Sequence, residues 1–181
     1  GVAAAELLVA DYTAFEGSSG TSFALQWEID EGANVLLTEY APYASVTLDG
    51  TSEEELLLDA ALDRGVVSVS PAGNLAAGFK HRSVELRPGV NALALRTDDE
   101  FQGATFAQFS MHYRESGRQL SYSIELPGGE TYELPTNSPR GRTIGRYAAY
   151  TQDRVSMRGT HEHHIQVYGE MGLPSGDYVL R

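Results

Sequence analysis

The pattern of the sequence changes abruptly near residue 75, and this change limits the folds open to the chain. Residues 1–75 contain one basic residue and 13 acidic residues, whereas residues 76–181 contain 12 of each. The net charge of −12 therefore belongs to the first part of the chain. Such a shift predicts two units with different surfaces. We place them at residues 1–78 and 79–181, with the small residues Ala76, Ala77 and Gly78 at the junction.

The first part alternates strand and helix signals. Apolar runs at residues 6–10, 34–37 and 66–69 predict three short buried strands. Apolar residues spaced i, i+4 across residues 21–31 predict one helix. Ser52 and Glu55 have the spacing of a capping box, which predicts a second helix that begins there and ends at Gly65. This order predicts an α/β segment, a partial parallel βαβαβ sheet with right-handed crossovers.

The second part contains short β-rich runs that recur about every ten residues. They are residues 83–87, 92–96, 106–113, 120–126, 131–134, 144–150, 165–168 and 178–180. Turn residues separate several of them, at residues 88–89, 127–129, 138–141 and 174–177. This punctuation predicts an antiparallel, jelly-roll-like β-sandwich.

Composition excludes several classes of function. A net charge of −12 repels a phosphate backbone, so we predict no nucleic-acid partner. No apolar run approaches the roughly 18–20 residues of a membrane helix, so we predict no membrane span. The absence of cysteine excludes disulfides, thiolate metal sites and cysteine nucleophiles. Because the chain begins at Gly1 and lacks a signal-peptide pattern, we interpret it as a processed or excised piece.

The turn Ala72-Gly73-Asn74, just after the third predicted strand, is a candidate for chemistry. In an open parallel sheet, functional groups collect beyond the carboxyl ends of the strands. Gly73 allows another backbone to approach closely, and the Asn74 amide can donate to an oxyanion. Taken alone, however, the three residues are better explained as a turn that ends a strand.

Three blocks in the first part resemble the catalytic domain of the subtilisin-like serine peptidases. Gly1-Val2-Ala3 and the apolar run after it resemble the family's Gly-Val-Ala-Pro segment, with Ala4 in place of the proline. Residues 32–37 resemble the segment that reads Asp-Val-Ile-Asn-Met-Ser in the family. Residues 60–74 resemble its helix, strand and Ala-Gly-Asn turn. The spacing between the three blocks also fits.

The resemblance implies a role for each matching residue. It makes Asn74 the oxyanion-hole residue, whose amide donates to the tetrahedral intermediate of acyl transfer. It places Glu39, Tyr40 and Ala41 where the family has Ser-Leu-Gly, so they would pair with a polypeptide substrate and form one wall of its pocket. Ala72 and Gly73 would form the opposite wall. Glu39 and Tyr40 depart from the family's small residues, which alters the expected pocket.

The residues that would carry out peptide hydrolysis are missing from the matching blocks. The family's Asp and His precede its Gly-Val-Ala segment, and its Ser follows the Ala-Gly-Asn turn. Ser22, Ser52 and His161 stand in look-alike motifs, and we interpret none of them as catalytic. We therefore expect an inactive segment of a secreted serine endopeptidase, with the β-sandwich as an insertion. No cofactor is expected for this segment, although the intact parent could bind calcium.

Two other functions stay open. The β-sandwich could act as a glycan- or protein-binding module, using aromatic side chains for stacking, although the alternation of these side chains also fits core packing. The parent could instead be an inactive pseudopeptidase. The sequence flanking this chain would separate these alternatives, because the triad motifs are either present or absent there.

The run His161-Glu162-His163-His164 is the one metal-like cluster in the sequence. On a strand, His161 and His163 share one face, and Glu162 and His164 share the other. Two histidines bind zinc only when another element supplies a third ligand, and the sequence indicates none. We therefore expect a polar strand or turn surface here.

A partial parallel sheet also has a consequence for association. Missing strands leave an apolar edge and face uncovered. We expect self-association of the chain, or docking of this face against the β-sandwich.

Overall fold

We describe the protein from a computed structural model, which covers residues 5–11, 20–39, 46–73, 81–97, 103–114 and 120–181. The chain divides into two compact units. The first comprises Gly1–Tyr43 and Leu48–Lys80, and the second comprises Ala44–Thr47 and His81–Arg181. The predicted junction at residues 74–78 lies outside the described residues, so that boundary stays a prediction. No helix in the described ranges is long and apolar enough to cross a membrane.

In the first unit, the described residues form two helices and one pair of short strands. Along the chain they are α1 (Gly20–Asp30), β1 (Val35–Leu37), α2 (Glu53–Asp63) and β2 (Val67–Val69). The strands β1 and β2 run parallel, with Val35 opposite Val67 and Leu37 opposite Val69. A small core of Leu25, Leu36, Ala61 and Val66 joins the helices to the strands.

The helix α2 begins where the sequence predicts it. The Ser52 hydroxyl accepts a hydrogen bond from the Glu55 amide at 3.2 Å, and the Glu55 carboxylate accepts one from the Ser52 amide at 3.0 Å. The predicted capping box is thus confirmed. After the helix, Gly65 adopts a φ of 83°, a left-handed conformation that favours glycine and turns the chain into β2.

The described part of the second unit contains eight strands in two antiparallel sheets. Along the chain they are β3 (Leu93–Thr97), β4 (Phe106–Arg114), β5 (Tyr122–Glu125), β6 (Thr131–Leu134), β7 (Ser138–Ile144), β8 (Tyr147–Val155), β9 (Thr160–Tyr168) and β10 (Gly176–Leu180). One sheet has the order β3-β10-β5-β6 and the other β4-β9-β8-β7. Apolar side chains from both sheets form one core, in which Ile124, Ile165 and Val167 are fully buried.

The predicted fold class is wrong. Among the described residues, parallel pairing joins two three-residue strands, whereas the other eight strands form two four-stranded antiparallel sheets. Residues 6–10 form no strand, and Leu7 and Val9 are 84% and 74% exposed. An apolar run becomes a strand only when a neighbour satisfies its backbone groups, and no described residue does so here.

Two local predictions in the second unit also differ from the structure. Residues 83–87 form no strand. Residues 138–141, predicted as a turn, instead begin β7 on the edge of its sheet. There the pairing with β8 shifts between Ser138 and Arg142, and Pro139 lies within the shift. An edge strand tolerates proline at such an irregularity because one side of the strand needs no partner.

Candidate functional site

The carboxyl ends of β1 and β2 meet at one edge of their parallel pair. The Thr38 amide donates to the Val69 carbonyl at 3.0 Å, and the hydroxyls of Thr38 and Ser70 share a hydrogen bond of 2.9 Å. Both strands therefore end at the same level. Glu39 follows β1, and Ala72 and Gly73 follow β2, so the structure places these three predicted site residues beyond the same edge.

Three of the six predicted site residues at this edge belong to the part of the chain that the structure describes. Glu39 and Ala72 are exposed, and Gly73 has a φ of 88°, so a glycine suits the turn after β2. Tyr40, Ala41 and Asn74 lie outside the described residues. The predicted role of Asn74 as an oxyanion donor, and the predicted pocket walls, therefore stay predictions.

Ser22, Ser52 and His161, which stand in motifs that resemble catalytic ones, each lie in a position that the fold explains. Ser22 is 3% exposed inside α1. Ser52 caps α2. The His161 ring stacks on the Tyr113 ring, with centroids 5.1 Å apart and an interplanar angle of 17°. Ser22 is thus buried, the Ser52 hydroxyl binds the start of α2, and the His161 ring is held in a stack.

A second polar region surrounds the His161–His164 run, which lies in the central strand β9. On the face toward the core, His163 is fully buried, and its ring stacks on Tyr122 of the opposite sheet with centroids 3.9 Å apart. Its Nδ1 bonds the carboxylate of Asp153, the neighbouring residue on β8. Burial, with Tyr113 and Asp153 nearby, raises the pKa of Tyr122, so this phenol stays protonated.

The other face of β9 carries a buried carboxylate. Glu162 is 1% exposed, and its Oε1 accepts a hydrogen bond from the Ser110 hydroxyl of β4 at 3.3 Å. Nη1 of Arg154, on β8, lies 3.8 Å from Oε2 of Glu162. The Oε2 atom accepts no hydrogen bond from any described residue. The charge is thus balanced by one partly exposed cation and one hydroxyl.

His164 lies beside this carboxylate, across from Ser110. Its Nδ1 shares a hydrogen bond of 3.1 Å with the Ser110 hydroxyl. Burial, together with the charges of Arg154 and His163, lowers the pKa of His164. The imidazole is therefore neutral at physiological pH, and Ser110 connects it to Glu162.

This Ser, His and Glu set does not have the arrangement of a hydrolytic triad. In a triad the carboxylate orients the imidazole and the imidazole activates the hydroxyl. Here the carboxylate contacts the hydroxyl and not the imidazole. The Ser110 hydroxyl thus bridges Glu162 and His164, and no carboxylate orients the imidazole of His164 in this set.

The same region does not form a metal site within the described part of the chain. No group of three or more His, Asp or Glu side chains comes close enough there to bind a metal ion. The expectation that the His161–His164 run forms a polar strand or turn surface is wrong, because Glu162, His163 and His164 are buried. Pairing with β4 and β8 places β9 at the centre of its sheet, which the four residues alone do not reveal.

Comparison with known proteins gives a likeness of fold and no sequence family. No protein-family model matches the chain, and no curated protein matches it significantly. The fold is similar to that of the solved CspB protease of Clostridium perfringens, with a TM-score of 0.62 and 17% sequence identity. The match covers 90% of this chain and 36% of the CspB chain. The chain thus spans about a third of that structure.

These comparisons correct the assignment to the subtilisin-like peptidases, which is wrong. The three blocks quoted for it are short and consist of residues common in strands and turns, and no family model recognises them. In addition, the apolar run after Gly1-Val2-Ala3 is not a strand. At 17% identity, the likeness to a clostridial protease shows the fold alone.

Sequence reasoning missed several residues of the β9 region. Ser110, Asp153 and Arg154 are separated from β9 in the sequence, and each becomes its neighbour through antiparallel pairing. The alternation of the His161–His164 run predicts its two faces. It does not predict which residues of β4 and β8 lie opposite them, because that depends on the register.

Proposed function

We propose that this chain is part of a protease and that the edge beyond β1 and β2 borders the bound polypeptide. The likeness in fold to the CspB protease over 90% of the chain is the observation that carries the proposal. The match covers 36% of the longer CspB chain, which agrees with the proposal that this chain is one part of an enzyme. A secreted location stays a prediction, because nothing in the sequence or fold tests it.

The β1–β2 edge supports the substrate-binding part of the proposal. No described strand pairs with the outer edges of β1 and β2, so in this proposal their backbone donors and acceptors bind an extended peptide. Glu39 and Ala72 stand exposed at the end of these strands. In this proposal they form opposite walls of the peptide site with Tyr40, Ala41 and Gly73, and the Asn74 amide donates to the developing oxyanion.

Bond cleavage is not proposed for this chain alone. Among the described residues, no serine contacts an imidazole that a carboxylate orients. We therefore expect no labelling of the isolated 181-residue chain by a fluorophosphonate serine-hydrolase probe. Labelling at Ser22, Ser52 or Ser110 would show that our account of these serines is wrong.

The decisive experiment uses the longest natural chain that contains these residues. Its hydrolysis of a casein or fluorogenic peptide substrate is compared with that of Asn74→Ala. In subtilisin, another protein, loss of one oxyanion donor lowers kcat by about 10²–10³-fold, and we expect a loss of that order here. The exposed Asn137 supplies the matched control, Asn137→Ala. Absence of peptidase activity from the natural chain contradicts the proposal, and full activity of Asn74→Ala contradicts the role of that residue.

A further inference from the structure

One end of the β-sandwich contains a cleft of about 460 Å³. The β5–β6 connection contributes Pro127, Gly128 and Glu130, the β7–β8 turn contributes Arg146, and Pro174 closes the third side. Small-molecule sites typically have volumes of about 300–1,000 Å³. The cleft is thus large enough for a ligand of one or two rings, and all its walls belong to one unit.

The floor of the cleft is formed by two buried side chains. Leu126 and Tyr147 line it, and each is 3% exposed. The Arg146 guanidinium lies over the Tyr147 ring, 5.1 Å from its centroid, and Nε donates to the Tyr147 hydroxyl at 2.8 Å. This contact fixes the guanidinium at the rim. No described residue pairs with its Nη1 or Nη2, so both nitrogens can donate to a ligand.

A carboxylate also lies at the rim. Oε2 of Glu130 accepts a hydrogen bond from the Tyr132 hydroxyl at 3.0 Å. No described residue donates to Oε1. Glu130 and Arg146 both line this cleft, and Tyr132, which bonds Glu130, lies against Gly145, the residue before Arg146. An acceptor and a pair of donors therefore border the same cleft.

The Tyr132 ring forms a fixed wall of the cleft. A β-carbon on Gly145 would fall on this ring, so the ring lies directly against the backbone of the β7–β8 turn. Gly145 also has a φ of 58°, a conformation that favours glycine. Because its hydroxyl end is bound to Glu130 and lies against Gly145, the ring loses little further freedom when a ligand packs on it.

We propose that this cleft binds a neutral saccharide of one or two rings, through Glu130, Arg146 and the wall formed by Tyr132. Neighbouring sugar hydroxyls can donate to the carboxylate and accept from the guanidinium at the same time. The C–H face of a sugar can pack on the tyrosine and on the proline rings. A singly charged ligand is attracted by one rim group and repelled by the other, whereas a neutral polyol can hydrogen-bond to both. The proposal does not depend on a role in proteolysis.

The test is binding by the whole 181-residue chain. A microarray of neutral mono-, di- and trisaccharides selects a ligand, and saturation-transfer NMR and calorimetry then measure its binding. We expect intermolecular NOEs between sugar C–H protons and the Tyr132 ring. Glu130→Gln and Arg146→Gln should each weaken binding by about tenfold or more, since each removes a charge-assisted hydrogen bond.

The matched controls are Glu133→Gln and Arg142→Gln, which remove the same charges from exposed positions outside the cleft. They should bind as the unsubstituted chain does. The NOEs to Tyr132 are measured on the unsubstituted chain, so a variant that fails to fold does not decide the outcome. The proposal is wrong if no neutral saccharide binds, if both cleft variants bind normally, or if a free amino acid competes for the cleft more strongly than any sugar.

Discussion

Replacing Arg154 with methionine leaves the Glu162 carboxylate buried without the cation beside it. Glu162 has no exposed side-chain surface, whereas the side chain of Arg154 is 41% exposed. Their atoms Oε2 and Nη1 are 3.8 Å apart, which gives about 4 kcal/mol of attraction at an effective dielectric constant of ~20. Solvent around the half-exposed guanidinium reduces this, so we expect Arg154→Met to lower the free energy of unfolding by about 2 kcal/mol.

A second substitution should reverse this loss. Glu162→Gln removes the buried charge but keeps an oxygen that accepts from Ser110. The double variant Arg154→Met/Glu162→Gln should therefore unfold within about 1 kcal/mol of the unsubstituted protein, because no uncompensated charge remains in the sheet. A methionine at 154 also keeps most of the apolar stem of the arginine.

Urea unfolding followed by near-UV circular dichroism of tyrosine measures both variants. Seven of the ten tyrosines belong to the second unit, whereas the single tryptophan, Trp27, belongs to the first. A loss of 2 kcal/mol lowers the urea midpoint by about 1 M. Arg142→Met, at an exposed position of β7, is the matched control. Our reasoning about the buried charge is refuted if Arg154→Met costs no more than Arg142→Met, or if the double variant is as unstable as Arg154→Met.

Two further predictions concern pH and association. The pKa of His164 is lowered on folding, so below about pH 6.5 the unfolded chain takes up a proton that the folded chain resists, and stability falls as the pH drops toward the folded-state pKa. Between about pH 7.5 and about pH 5, the free energy of unfolding of His164→Gln should fall less than that of the unsubstituted protein. The control His81→Gln, at an exposed position, should lose as much as the unsubstituted protein. Equal losses in all three proteins, measured by urea unfolding at both pH values, would contradict this. Val67 and Val69 are 52% and 47% exposed on one face of β2, so sedimentation should show concentration-dependent association that Val67→Thr/Val69→Thr weakens and Val155→Thr, on β8, does not. A chain that sediments as a monomer at every concentration would exclude self-association through this face.

Features that depend on neighbouring residues in the sequence could be predicted well. The Ser52 and Glu55 capping box needs only the spacing of two side chains, and the structure has both of its hydrogen bonds. The helix α1 lies at Gly20–Asp30, close to the predicted residues 21–31. Its apolar residues are nevertheless not all buried, because Leu25 lies in the core whereas Phe23 is 57% exposed. The spacing predicts the helix, and only the packing decides which face is covered.

Features that depend on distant pairing could not be predicted in the same way. An apolar run such as residues 6–10 has the composition of a strand whether or not a partner exists, and here it remains exposed. The sequence His161-Glu162-His163-His164 has the composition of a surface, yet Ser110, Asp153 and Arg154 turn it into a buried network once β4 and β8 pair with β9. The cleft bordered by Glu130 and Arg146 also depends on distant pairing, because it forms only where the β5–β6 and β7–β8 connections meet. In a molecule built from short strands, the chemistry arises where strands meet, so the register between strands determines the candidate sites more than any single motif does.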